Sequence, residues 1–110
     1  MQLQTVIDYC TSRPGSTQEF PFDDTTLVFK IKGKMFALIS LDEPHRINLK
    51  CDPAYALVLR QQYPQVRPGY HMNKKHWNTI ELDGTVTDEN MMQWIDDSYE
   101  LVIRKLPEKD

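Results

Sequence analysis

At 110 residues, with 40% apolar and 26% charged side chains, the chain fits one soluble compact domain, residues 1–110, whose core is large enough to form without metal or disulfide staples. It has no apolar run long enough to span a bilayer and no basic segment opening a secretion signal, and Cys10 and Cys51 are not in a metal-type spacing, so the expectation is a reduced, cytoplasmic chain with no cofactor, no metal and no membrane partner. The formal net charge of -3 is unevenly spread: residues 30–80 carry nine Lys and Arg against three acids, while residues 81–110 carry three against nine.

The chain opens with an amphipathic helix, because Leu3, Val6, Ile7 and Cys10 follow the i, i+3, i+4, i+7 spacing, and Pro14-Gly15 ends it. Glu19–Phe22 is predicted as a short edge strand limited by Pro21. Thr26–Lys32 and Lys34–Leu41 are predicted as a hairpin, with Gly33 supplying the positive φ of its tight turn. After a turn at 42–45, Arg46–Lys50 alternates charged and apolar residues as a third strand. Asp52 as N-cap and Pro53 as first residue start a second helix, which runs to about Gln62 before Pro64. His76–Leu82 is a further strand, and Thr87-Asp88 caps a last helix to about Leu106, with Met91, Ile95, Val102 and Leu106 on its inner stripe.

A meander of strands demands an antiparallel sheet, and three amphipathic helices on one face of it make an α+β two-layer sandwich. Period-two alternation turns Leu27, Phe29, Ile31, Ile47, Leu49, Ile80 and Leu82 toward the helices. That leaves Val28, Lys30, Lys32, Arg46, Asn48, Lys50, Trp77, Thr79 and Glu81 outside, so the uncovered face collects Lys30, Arg46, Lys50 and Trp77, and an accessible tryptophan among cations is a stacking platform. Between the second helix and the last strand lies the most informative stretch, residues 67–78, which combines Arg67, Lys74, Lys75, two histidines, Tyr70, Trp77, Asn73 and Asn78 with no acid.

Each of these residues has a functional and a structural reading. Lys74 and Lys75 can contact phosphate with support from Asn73, or simply be solvated. Arg67 can hold a phosphate bidentately or pair with an acid of the last helix. Trp77 can stack a base or pack under the preceding loop. His71 and His76, five apart with no completing ligand, fit hydrogen-bonded imidazoles better than a zinc pair, and Cys51 beside Lys50 fits the core better than a reactive thiol. No phosphate-binding glycine loop, nucleophile elbow or metal motif occurs, so the expectation is a chain with no catalytic residue and no enzymatic activity.

Taken together, Tyr9-Cys10, Arg13-Pro14-Gly15, Phe29-Lys30, Lys34-Met35-Phe36-Ala37, Leu49-Lys50-Cys51, Leu59-Arg60, the run from Val66 to Asn78, Leu82-Asp83-Gly84, Ser98-Tyr99 and Leu106-Pro107 resemble the MmcQ/YjbR family of small bacterial proteins over nearly the whole chain. The His71-x-Asn73-Lys74-x-His76-Trp77 core is the most distinctive part. The resemblance implies a frataxin-like (CyaY-like) α+β fold and DNA binding through a double-wing arrangement. The nucleic-acid-binding candidates are then Lys30, Lys32, Lys34, Arg46, Lys50, Arg67, His71, Asn73, Lys74, Lys75 and Trp77, binding DNA weakly and in a salt-dependent way. The alternative is a protein- or small-molecule-binding module that uses the open sheet face around Trp77.

Overall fold

The structure, a computed structural model, describes residues 1–70 and 72–105. Helix α1 (Leu3–Thr11) is followed by strands β1 (Ser16–Glu19), β2 (Thr26–Ile31), β3 (Lys34–Ser40) and β4 (Arg46–Lys50), helix α2 (Pro53–Gln62), strands β5 (Val66–Pro68) and β6 (Trp77–Glu81), and helix α3 (Asp88–Arg104). The strands form one open antiparallel sheet in the order β1-β2-β3-β4-β6-β5. From β4 the chain crosses through α2 to the far edge, lays down β5, and returns so that β6 fills the gap beside β4.

Helices cover one face only. Val6 and Cys10 of α1, Ala56 and Leu59 of α2, and Met91, Trp94, Ile95, Tyr99 and Val102 of α3 share a single core with Leu27, Phe29, Ile31, Ile39, Ile47, Leu49 and Ile80 of the sheet. The predicted inward strand positions are all buried except Leu82, which lies half-buried at the rim of that core. The helix starts also follow the sequence signals: Asp52 accepts a hydrogen bond from Tyr55 N–H, and Thr87 accepts one from Asn90 N–H. In the β2–β3 hairpin both turn residues are left-handed, Lys32 at φ 51° and Gly33 at φ 80°, which matches the twist of the flanking strands.

Three sequence expectations need correction. The first strand is Ser16–Glu19, not Glu19–Phe22, because Gly15 at φ 76° turns the chain straight out of α1 into register with β2, Ser16 opposite Ile31. Residues Phe20–Asp24, freed from pairing, form a loop. The edge strand β5 has no counterpart among the predicted elements; it spans three residues, too few for a periodic signal, and Pro68 is tolerated there because the strand ends at the sheet margin. Third, β3 carries a bulge: Phe29 pairs with Ala37 and Lys30 with Met35, so Phe36 is the extra residue. The bulge sends both Phe36 and Ala37 into the helix-side core, a break in alternation that puts Phe36 against Phe29 and Tyr99. The predicted end of α3 at Leu106 lies outside the described residues.

Candidate functional site

The face without helices is not bare. Two loops from opposite edges of the sheet close over it, the β1–β2 connection carrying Phe22 and Asp23 and the β5–β6 connection carrying Tyr70 and Met72. Beneath them Val28, Leu38 and Trp77 form a second small apolar cluster, with Met35 and Met72 packed on it. Trp77 therefore occupies the predicted face but not the predicted environment: it is 7% exposed and does not present an accessible stacking surface. Strand alternation chose its face; the return of the 69–76 loop decided its burial. Gly69 makes that return possible, since a Cβ there would sit 2.8 Å from Trp77 Cβ and 2.9 Å from the Trp77 carbonyl oxygen.

Between the two loops lies a cleft of about 400 Å³, floored by Thr26, Leu38, Ser40, Arg46, Asn48 and Thr79 and walled by Phe22, Asp23, Tyr70 and Met72. Phe22 and Tyr70 are 64% and 60% exposed, large rings held at the mouth. The polar groups of the floor are ordered by internal hydrogen bonds. Tyr70 N–H donates to Thr79 Oγ1 at 2.8 Å, and Thr79 Oγ1 in turn donates to Asn48 Oδ1. Asp23 accepts from Thr25 N–H, Thr26 N–H and both threonine hydroxyls; these bonds, that from Thr25 N–H first, hold its carboxyl below the usual carboxylate range. Arg46 Nε lies 3.3 Å from Glu81 Oε2 and its guanidinium sits 5.9 Å from the centre of the Tyr70 ring.

The predicted nucleic-acid residues fall into three groups rather than one patch. Arg46 and Arg67 converge on Glu81 of β6, Arg67 at 4.0 Å, so the acid that Arg67 meets belongs to the sheet and not to the last helix. Lys30 pairs with Glu19 across the β1–β2 ladder. Lys34 and Lys50 gather at the opposite end of the sheet, where with Lys105, Met35, Trp77 and Val102 they line a recess of about 330 Å³. Lys32, Lys74 and Lys75 are exposed near that end, at the hairpin tip and before β6. Asn73 is occupied by its own turn: its side-chain oxygen accepts from Lys75 N–H, and its carbonyl accepts from His76 and Trp77 N–H. His71 lies outside the described residues.

Sequence reasoning missed Arg60 as the residue that shapes the loop. From α2 its Nε donates to Asn78 Oδ1 at 2.7 Å, and its Nη2 donates to the carbonyl oxygens of Trp77, at 3.3 Å, and Lys74. The available signal was that Arg60 is the one basic residue in a helix otherwise made of apolar and amide side chains. Arg60→Met keeps most of the aliphatic stem and strips the three acceptors of their charged donor. It is expected to destabilise the fold by about 2–4 kcal/mol, since hydrogen bonds to charged groups are worth about 1.5–3 kcal/mol each and part of this site is open to water. Urea unfolding followed by far-ultraviolet dichroism measures it; a loss under about 0.5 kcal/mol refutes the clamp.

The thiols are not poised for chemistry. Burial pushes Cys10 up to about 12, and burial, followed by Asp97 and Asp52, pushes Cys51 up to about 11. Both cysteines are free and belong to the helix-side core. Among the described residues, no group of three or more His, Cys, Asp or Glu side chains is placed to hold a metal ion, and no helix is long and apolar enough to cross a membrane.

An open antiparallel sheet backed by three helices, with two loops folded over its other face, defines a small two-layer α+β domain. The chain belongs to the YjbR family, whose sequence pattern matches residues 11–101. It is 34% identical over 110 residues to the uncharacterized protein YjbR of Escherichia coli K12, covering 99% of this chain and 93% of that one. It is 42% identical over 92 residues to the uncharacterized protein YbdF of Escherichia coli O157:H7, covering 83% and 75% of the two chains. The crystal structure of Deinococcus radiodurans protein DR2400, a DUF419 domain, superimposes with a TM-score of 0.91 at 43% identity, over 97% of this chain and 83% of that one.

Proposed function

We propose that this chain is a small-molecule-binding module whose site is the cleft on the open sheet face. The observation that carries this reading is the cleft itself: about 400 Å³, walled by loops from both sheet edges, with apolar side chains at Leu38 of the floor and Met72 of the wall and convergent polar groups at Arg46, Asn48 and Thr79. Its volume and mixed lining fall within the usual range of ligand sites. In this reading the chain binds its ligand without turning it over. The test is a fragment screen read by amide chemical shifts. Hits are expected to move Leu38, Asn48, Tyr70 and Thr79 together, and Ser40→Trp, which places an indole in the cleft, is expected to abolish them. Hits confined to other surfaces, or none at all, overturn the reading.

The lysine-bearing end of the sheet favours a second reading, weak DNA binding. Lys34, Lys50 and Lys105 line one recess with no acid among its lining residues, and Lys32, Lys74 and Lys75 lie near it. Lys30, already paired with Glu19, adds little, Arg46 and Arg67 sit at the other end of the sheet, and buried Trp77 contributes no stacking. For a random duplex, Lys34→Gln, Lys50→Gln and Lys74→Gln are each expected to lower the slope of log K against log salt by about one unit, for all sequences alike. Anisotropy titration at two salt concentrations measures this, and no binding at low salt removes the reading.

A further inference from the structure

The chemistry of the cleft selects a class of ligand, and this inference rests on the cleft being a small-molecule site. The hydroxyl protons around it are spent internally: Thr26 Oγ1 donates to Asp23, Ser40 Oγ to the Asp42 carbonyl at 3.2 Å, and Thr79 Oγ1 to Asn48 Oδ1. The last of these has a directional consequence. Thr79 Oγ1 accepts from Tyr70 N–H, so its own proton goes to the carboxamide oxygen of Asn48, and the amide nitrogen is left as the outward group. Asn48 Nδ2 makes no hydrogen bond among the described residues. Arg46 engages Glu81 through Nε at 3.3 Å and lies 5.9 Å from the Tyr70 ring centre, and among the described residues its Nη groups make no hydrogen bond. The open nitrogen groups of the floor are therefore donors from two neighbouring strand positions on one face, 46 and 48.

Charge points the same way. Arg46 and Arg67 share the single carboxylate of Glu81, which leaves one net positive charge at that end of the floor. Asp23, on the other wall, has both carboxylate oxygens committed to its own turn. The mouth supplies two aromatic rings, Phe22 and Tyr70, above the apolar side chains of Leu38 and Met72. A planar guanidinium fork with a neighbouring amide donor matches a carboxylate, and flat rings above match a flat body.

We propose that the open-face cleft binds a small planar aromatic carboxylate, its ring between Phe22 and Tyr70 and its carboxylate on Arg46 Nη and Asn48 Nδ2. Seating the charge at the Arg46 end of the floor keeps it away from Asp23 on the wall. A single net positive charge suits a monocarboxylate better than a doubly charged phosphate ester.

The probes are 2-naphthoate, its neutral isostere 2-naphthamide, and naphthyl phosphate, each titrated into the full chain and followed by amide shifts. The wild-type chain is expected to bind naphthoate at least about tenfold more tightly than naphthamide, because the amide forfeits a charge-assisted contact. Arg46→Gln is expected to erase that preference, lowering naphthoate affinity by about tenfold more than naphthamide affinity. Asn48→Ala is expected to weaken naphthoate by about tenfold, with dispersed spectra confirming that each variant is folded. Equal affinity for acid and amide, or a preference for the phosphate, overturns the carboxylate assignment while shifts at Leu38 and Thr79 would still uphold the cleft as a site. Absence of shifts in the cleft with every probe overturns the assignment, and the fragment screen then decides separately whether the cleft binds anything.

Discussion

Phe29→Ala is expected to destabilise the fold by about 3–5 kcal/mol, the range for deleting a buried phenyl ring and leaving the cavity behind. Phe29 is fully buried on β2 and packs against Phe36, whose ring centre lies 6.2 Å away, and Phe36 meets Tyr99 edge-on at 5.2 Å. The three rings connect β2, the bulge of β3 and α3, and the Tyr99 hydroxyl donates to the Pro14 carbonyl beyond them. Neighbours held on several sides by backbone pairing have little room to collapse into the space, which places the expected loss toward the upper half of the range. Phe29→Leu, closer in volume, is expected to cost under about 1.5 kcal/mol. Urea unfolding of both variants measures the difference, and near-equal losses would show that the site relaxes freely.

Ser98→Ala should have an effect as large as that of Arg60→Met, although it removes one oxygen atom. The Ser98 hydroxyl is fully buried, donates to the Phe36 carbonyl at 2.6 Å and accepts from Lys50 N–H at 2.9 Å. Both partners sit where regular pairing fails: Phe36 is the extra residue of the bulge, and Lys50 ends β4. Without the hydroxyl, a buried donor and a buried acceptor are left unpaired, at about 1–3 kcal/mol each, so the expected loss is about 2–4 kcal/mol. Faster exchange of the Lys50 amide hydrogen should accompany it. A loss below about 0.5 kcal/mol with that amide still protected would mean that water or a relaxed backbone replaces the bond.

The contrast between Phe29 and Ser98 marks what a one-dimensional reading reaches. Phe29 stands in an alternating strand, so its burial follows from its own neighbours in sequence. Ser98 is a small polar residue on a helix, and its importance depends on a bulge 62 residues away. The candidate site divides in the same manner. Arg46 and Trp77 were assigned to the open face from period-two patterning, and both are there. The partners that change their meaning, Glu81 for Arg46 and Met72 for Trp77, come from a neighbouring strand and a returning loop.

The cleft was not legible for the same reason. Phe22 was assigned to an edge strand, while Asn48 and Thr79 were alternation partners without a role; what joins them is the closure of two long loops over one sheet face. By itself the sequence determined the helix caps at Asp52 and Thr87, the left-handed turn at Gly33 and the helix-side core, because these depend on propensities and periods within a few residues. Only the tertiary structure decided the β3 bulge, the clamp of Arg60 on the 73–78 segment, the burial of Trp77 and the donor-rich floor of the cleft. Each of these is a contact between segments far apart in the chain, whose geometry is set by packing density and by the pairing of buried polar groups rather than by any local pattern.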